Sequence, residues 1–184
     1  KYRDGLAFGD ESSRSSPSAA SGSGFINTAG CVGLLSQRLL DAYTATNPGA
    51  STSGAAYAEF VLSFVQQCFT VGSDIYYHST GTYWATPAET LFTAVGDSGD
   101  LSVLAASLLR ASGFDAGIAV IQGHGFAAIS LNGYSGPSQM PSGYHTVRIT
   151  DSGRQYLLCD VSDGSLPMGC VPEYFGYSDG HTTY

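Results

Sequence analysis

Residues Thr86–Gly113 read TPAETLFTAVGDSGDLSVLAASLLRASG. Apolar side chains recur every three or four residues after Asp97, which predicts an amphipathic helix that Gly113 ends. The run Gly96–Ser98 lies directly at the start of that helix. Because first-turn N–H groups are unpaired and the helix dipole is positive there, this position stabilises an anion. A nucleophile at position 98 would therefore suit catalysis, and a Ser98 or Asp97 that only caps the helix is the simpler alternative.

Two more helices are predicted on the N-terminal side of this stretch. Apolar residues from Leu34 to Tyr43 follow one helical stripe, which the turn residues Asn47–Gly49 end. The segment Ala55–Thr70 also repeats apolar side chains at helical spacing. The aromatic segment Ser73–Pro87 has no such period, and we expect it to be an ordered loop.

After Gly113 the apolar pattern changes from helical to strand-like. The predicted strands are Ala116–Ile121, His124–Leu131, Tyr144–Thr150 and Arg154–Val161. The residues Asp151–Gly153 are typical of a tight turn and predict that the last two strands form a hairpin. Helices followed by an antiparallel meander indicate the α+β class.

The first two dozen residues have the composition of a linker. Residues 12–24, SSRSSPSAASGSG, contain seven serines and too little apolar surface to offset the entropy of ordering them. We therefore predict an arm and linker over residues 1–24 and one folded domain over residues 25–184.

Composition and charge argue against two classes of partner. Seven basic and 15 acidic residues give a net charge of −8, whereas a nucleic-acid-binding protein needs a basic surface. No stretch approaches the ~20 apolar residues of a membrane span, so we expect no membrane insertion in this segment. The sparsely charged composition, rich in Ser, Gly and Tyr, is typical of exported proteins, and we expect an extracellular or cell-surface location.

The cysteines do not have the spacing of a metal site. Cys31, Cys68, Cys159 and Cys170 include no C-x-x-C pair, which argues against structural zinc. Their positions leave both two disulfides and four buried thiols open. The segment Asp160–Gly164 lacks the spaced carboxylates and final glutamate of a calcium loop. We therefore predict neither a metal nor a cofactor.

A histidine and an aspartate further along the chain can complete a catalytic triad with residue 98. His124 begins a predicted strand, and Asp160 lies in the last strand of the hairpin. When a nucleophile on a helix faces a sheet that carries both groups, the histidine can take the proton while the aspartate orients its ring. His145, on another strand before Asp160, is the alternative histidine.

Taken together, these residues resemble the transglutaminase-like superfamily, and its archaeal and bacterial members in particular. The segments Pro87–Leu91 (PAETL), Gly96–Asp100 (GDSGD) and Leu108–Gly117 (LLRASGFDAG) are similar to the family's P-x-E-T-L block, its G-D-C-x-D block and the end of the helix that follows. Gly123-His124 and Tyr156–Asp160 are similar to the strands that carry the family's histidine and acid. The resemblance implies a papain-like α+β fold with a Cys-His-Asp triad.

The resemblance covers Phe69–Phe175 and implies acyl transfer from an amide. Residue 98 would be the nucleophile, His124 the general base and Asp160 the acid that orients it. The resemblance favours His124 over His145 because a Gly-His pair follows the strand after the nucleophile helix. It also implies hydrolysis of a peptide or isopeptide bond rather than cross-linking, with a peptide or protein substrate such as a cell-wall or surface protein.

Position 98 departs from the family pattern because it holds a serine. A helix terminus that is sufficient to ionise a thiol does little to ionise a hydroxyl, whose pKa is far higher. Three interpretations follow: an inactive form of a cysteine enzyme with the nucleophile replaced, a natural pseudoenzyme acting as a cell-surface binding module, or a working serine nucleophile. We adopt the first. A cysteine at position 98 would make five, one free thiol beside two bridges, for which we expect Cys31–Cys68 and Cys159–Cys170.

Trp84 and two glutamines are further candidates. Trp84 would line the acyl pocket or support the oxyanion site, with a packing role as the alternative. Gln66 or Gln67 would donate to the oxyanion, although we expect solvent-facing amides here. Asp97 and Asp100 are expected to cap the helix that follows them.

Overall fold

The computed structural model of the protein describes residues 24–77, 79 and 83–175. The arm and linker predicted over residues 1–24 lie outside the described residues except for Gly24. Among the described residues the helices are α1 (Cys31–Thr46), α2 (Ala55–Cys68), α3 (Asp74–Tyr77), α4 (Pro87–Thr93) and α5 (Ser98–Ala111).

The three predicted helices are confirmed as α1, α2 and α5. Helix α2 ends at Cys68, two residues before the predicted end, because Phe69 has an extended backbone and Thr70 enters a short strand. Helix α5 is followed by Gly113 with φ at +89°, as expected for a glycine that ends a helix.

The prediction of an unbroken loop over Ser73–Pro87 is wrong. Helix α3 lies inside that segment, and α4 begins at its last residue, Pro87. The Thr86 side chain accepts from the Glu89 N–H, and the Glu89 carboxylate accepts from the Thr86 N–H. This capping box, followed by proline in the first turn, is a helix-start signal that is visible in the sequence.

The strands are β1 (Thr70–Val71), β2 (Val95–Gly96), β3 (Asp115–Ile121), β4 (His124–Ser130), β5 (Tyr144–His145), β6 (Arg148–Asp151), β7 (Arg154–Cys159) and β8 (Val171–Pro172). The main sheet is antiparallel with the order β3-β4-β7-β6, while β1 pairs with β2 and β5 with β8. The α+β class and the β6–β7 hairpin are confirmed. The single strand predicted over Tyr144–Thr150 is wrong, because β5 and β6 belong to different sheets.

Helix α5 forms the centre of the core. Every residue from Gly99 to Leu109 is buried, which is the pattern of a helix covered on all sides. Helices α1, α2 and α4 pack against it, and β3 and β4 of the main sheet cover it as well. The start of α5, which carries Ser98, is therefore held by the most buried element of the fold.

The β3–β4 hairpin fixes the position of His124. Its two turn residues, Gln122 and Gly123, have φ of +52° and +80°, as a two-residue type I′ turn requires. Ile121 then pairs with His124. A tight turn thus places the histidine at the first position of β4.

All four cysteines are free thiols, so the expected bridges Cys31–Cys68 and Cys159–Cys170 are absent. Cys31, at the start of α1, and Cys68, at the end of α2, are exposed, whereas Cys159 and Cys170 are buried. Burial raises the pKa of the Cys159 thiol to about 12, so this thiol is a poor nucleophile.

Within the described residues, no helix has both the length and the apolar character that crossing a membrane requires.

Candidate active site

Ser98 is the first residue of α5, and two aspartates cap the helix around it. The Asp97 Oδ1 accepts from the N–H groups of Gly99 and Asp100 at 2.7 and 3.0 Å. The Asp100 Oδ2 accepts in return from the Asp97 N–H at 3.3 Å. This reciprocal capping box confirms the predicted role of both aspartates.

The cap leaves one donor of the first turn available. Gly99 and Asp100 donate to the Asp97 side chain, and Leu101 donates to the Asp97 carbonyl at 3.0 Å. In the described part of the chain, the Ser98 N–H has no acceptor. A single backbone donor at residue 98, rather than the whole helix start, is therefore available for a developing oxyanion.

Strand β4 approaches the start of α5 unusually closely at Gly125. The Gly125 N–H donates to the Ser98 Oγ at 3.1 Å. A Cβ at Gly125 would lie 2.7 Å from the Gly99 Cα and 2.8 Å from the Ser98 carbonyl oxygen. Only glycine fits at this contact, which places Ser98 against the residue that follows His124.

His124 and Asp160 form a partly buried pair. The His124 Nε2 lies 3.2 Å from the Asp160 Oδ2, and their side chains are 20% and 3% exposed. The imidazole packs against both Phe126 and Phe175, with ring centroids 4.7 and 4.6 Å away, and these two rings also contact each other. Because Nε2 faces the aspartate, Nδ1 is the ring nitrogen that remains for proton exchange.

Several groups hold Asp160 in its buried position. Its Oδ1 accepts from the Ser162 N–H at 2.9 Å and from the Ser162 Oγ at 2.6 Å. Burial alone would raise the pKa of Asp160, but the hydrogen bonds from His124 and Ser162 outweigh burial and lower it. Asp160 is therefore ionised at neutral pH, as a partner of an imidazolium must be.

The expectation of a solvent-facing Gln66 is wrong. Gln66 is buried, and its Nε2 donates to the carbonyls of Asp160 and Leu166 at 2.9 and 3.0 Å. Its side chain therefore ties α2 to the loop that follows β7 instead of serving an oxyanion. Gln67, the neighbouring candidate, is exposed.

Trp84 is only 5% exposed and packs against the start of α5. It belongs to an apolar cluster with Val103 and Ile118, and a Cβ at Gly99 would touch its ring at 3.0 Å. A cavity of about 40 Å³ beside the ring is lined by Gly125 and other residues around the start of α5. Packing is thus the role that its contacts support, at a position next to Ser98.

His145 lies in β5 opposite Val171, in the small sheet outside the main one. It is half-buried. His124, in the main sheet, contacts Asp160. His145, the alternative histidine, belongs to a different sheet.

Three carboxylates converge beneath the start of α5. Ligand oxygens of Asp74, Asp97 and Asp100 all lie within 4.8 Å of one another, and carboxylates are the donors that Ca²⁺ and Mg²⁺ prefer. Backbone N–H groups already hold them, with Tyr83 donating to Asp74 and Ala85 to Asp100. The cluster is accounted for by these structural hydrogen bonds.

Burial and the repulsion of neighbouring carboxylates raise the pKa values of Asp74 and Asp100. Burial, with the charge of Asp97 added, raises the pKa of Asp100 to about 8 and that of Asp74 to about 6. The folded protein then holds protons that the unfolded chain has lost above pH ~4. Stability contributed by these groups is therefore present at pH 4 and is lost as the pH rises through 6 and 8.

We expect the melting temperature to fall by about 5 °C between pH 5 and pH 8, equivalent to about 2 kcal/mol. Asp100→Asn, which resembles the protonated acid, should flatten this decline. Asp41→Asn, on the exposed face of α1, is the matched control and should leave it unchanged. Differential scanning calorimetry over this pH range makes the measurement, and equal slopes for both variants would contradict the prediction.

A larger polar groove lies away from this site. It has a volume of about 1050 Å³ and is lined by Arg148 together with the start of β3 and the end of β4. Asp115 pairs with Ser130 there, whereas Ile121 pairs with His124 at the site. The length of β3 separates the two places by about 20 Å.

The structure thus pairs His124 with Asp160 and places Ser98 against Gly125, the residue that follows His124, where α5 meets β4. Sequence reasoning missed Gly125 and Phe175, which fix the strand and the imidazole ring. Glycine in a predicted strand often marks a close backbone approach, so Gly125 carried a usable signal. Nothing local to Phe175 indicated that it packs on His124.

Comparison of the sequence with models of known protein families and with curated proteins finds no match.

Proposed function

We propose that this chain is a transglutaminase-like domain with a papain-like core, built for acyl transfer from an amide through residue 98, His124 and Asp160. One observation carries the proposal. The almost completely buried Asp160 carboxylate contacts Nε2 of His124. The N–H of Gly125, the residue after that histidine, donates to the Ser98 Oγ. This arrangement leaves Nδ1 for the proton of residue 98 at the positive end of a helix.

With cysteine at position 98, the chemistry follows from these groups. His124 takes the thiol proton, and the thiolate attacks the amide carbonyl carbon, whose oxygen becomes negative near the N–H of residue 98. The C–N bond then breaks, and the imidazolium returns its proton to the leaving amine. Water attacks the thioester with His124 as base, which releases the acid and restores the thiol.

The proposed substrate is a peptide or isopeptide of an exported or cell-surface protein, and hydrolysis is favoured over cross-linking. Serine at position 98 makes the present chain the inactive form in this proposal. The serine itself also supports a second candidate, a natural pseudoenzyme that binds such a substrate without cleaving it.

The proposal is tested by restoring a thiol at position 98. In Ser98→Cys, we expect the introduced thiol to react with iodoacetamide at pH 6 at least about 30-fold faster than an ordinary thiol, which is mostly protonated at that pH. Mass spectrometry of digested protein resolves each site, so the exposed Cys68, at the end of α2 and away from any helix start, serves as the internal reference.

His124→Ala in the Ser98→Cys background should reduce this rate to that of the reference thiol Cys68. His145→Ala is the matched control and should not change it. Equal alkylation rates at the introduced thiol and at Cys68 would overturn the acyl-transfer proposal. The pseudoenzyme that binds a substrate without cleaving it would then be the remaining candidate. Labelling of Ser98 in the unchanged chain by a fluorophosphonate would instead establish a serine nucleophile.

A further inference from the structure

We infer that Ser162 is a positioning residue that bridges the acid and the base of the site, holding the Asp160 carboxylate so that Oδ2 faces His124. Its role in arranging the side chains of Asp160 and His124 follows from its contacts with both. Its consequence for reactivity rests on the proposed function.

Ser162 contacts both members of the pair. Its Oγ donates to the Asp160 Oδ1 at 2.6 Å, and its N–H reaches the same oxygen at 2.9 Å. The same Oγ lies 3.5 Å from the His124 Nε2. The hydroxyl proton points to the aspartate, so its lone pairs remain as a second, weaker acceptor for the ring N–H.

The burial of Asp160 makes these bonds consequential. A buried carboxylate oxygen without a donor costs free energy, and the two donors from Ser162 satisfy Oδ1. Oδ2 is then the oxygen left to accept from Nε2 at 3.2 Å. A single rotation of the carboxylate would exchange the two oxygens, and the short hydroxyl bond opposes that rotation.

The other groups near the pair come from separate elements. Asp163 follows Ser162 in the same loop and accepts from the Tyr144 hydroxyl at 3.1 Å. Cys159 precedes Asp160 in β7, and its thiol stays protonated because burial raises its pKa. Tyr174 packs on Phe175 beside the imidazole. None of these groups bonds to the Asp160 Oδ1 in the described residues, which leaves that oxygen to Ser162.

The test measures by ¹⁵N NMR which nitrogen of the His124 imidazole carries the proton, in the chain as it stands and at a pH where the ring is neutral. In Ser162→Ala the Asp160 carboxylate is no longer held with Oδ2 on Nε2, so the ratio of the Nε2–H to the Nδ1–H tautomer should fall at least about threefold. Ser162→Thr keeps the hydroxyl and should restore the tautomer ratio. Ser165 lies in the same loop, and its Oγ is 3.4 Å from the Asp163 carboxylate. Ser165→Ala is the matched control and should leave the tautomer ratio unchanged.

An unchanged His124 tautomer ratio in a folded Ser162→Ala protein would overturn the inference. If that variant fails to fold, Ser162→Gly removes the same hydroxyl and decides the matter. In the Ser98→Cys background, loss of the hydroxyl should also slow alkylation of the introduced thiol about fivefold. A changed His124 tautomer ratio together with an unreactive thiol at position 98 would uphold the positioning role and overturn the proposed function instead.

Discussion

Replacing Gly125 by alanine is expected to lower the melting temperature by about 10 °C and to abolish the enhanced reactivity of a cysteine at position 98. The added Cβ would lie 2.7–2.9 Å from backbone atoms of Ser98 and Gly99. These atoms belong to the first turn of α5, whose next residues are buried on all sides, so the helix cannot move aside. Strand β4 must withdraw instead, and His124 moves with it.

The neighbouring strand offers a matched control for this substitution. Gly117 lies in β3, and a Cβ there would meet only the end of the Arg110 side chain at 4.0 Å. Gly117→Ala should therefore change stability by less than about 1 kcal/mol. Thermal melts and alkylation rates of both variants, the latter in the Ser98→Cys background, make the comparison. Similar melts for the two would show that β4 does not depend on the glycine contact.

The helices and the hairpin were predictable because their signals are local. Spacing of apolar side chains identifies α2 and α5, and the aspartates around Ser98 indicate the start of α5. The capping residues of α4 are equally local signals, and they mark its start at Pro87, the end of the segment predicted as a loop. The division of Tyr144–Thr150 between two sheets was not predictable, because it depends on pairing with β8, more than twenty residues away.

The candidate site was only partly predictable for the same reason. Ser98 and His124 stand at a helix start and at a strand start, which are features of the local sequence. The role of Gln66 is different, since its side chain reaches Asp160 across 94 positions of the chain. A glutamine on an amphipathic helix looks solvated until the loop that covers it is known. The contact of Phe175 with His124 is likewise set by tertiary packing alone.

Asp160→Asn in the Ser98→Cys background is expected to reduce alkylation of the introduced thiol at pH 6 by about 30-fold, to the rate of the reference thiol Cys68. The ionised carboxylate is what stabilises the His124 imidazolium, and without that charge the thiolate–imidazolium pair loses its support. Above about pH 9 the difference should narrow, because an ordinary thiol also ionises there.

The same substitution should also change how stability depends on pH. Because the pKa of Asp160 is lowered in the folded state, the stability it contributes is present above pH ~4 and is lost as the pH falls below that value. Asp160→Asn removes this acid-side loss, whereas Asp163→Asn, three residues further along, retains it and retains the reactivity of the thiol at position 98. If Asp160→Asn left the alkylation rate at pH 6 within about twofold of its parent, Asp160 would hold the loop after β7 in place without acting on the histidine. A simultaneous change in the His124 tautomer ratio and fall in the alkylation rate at position 98 is the result that ties the buried carboxylate to the chemistry there.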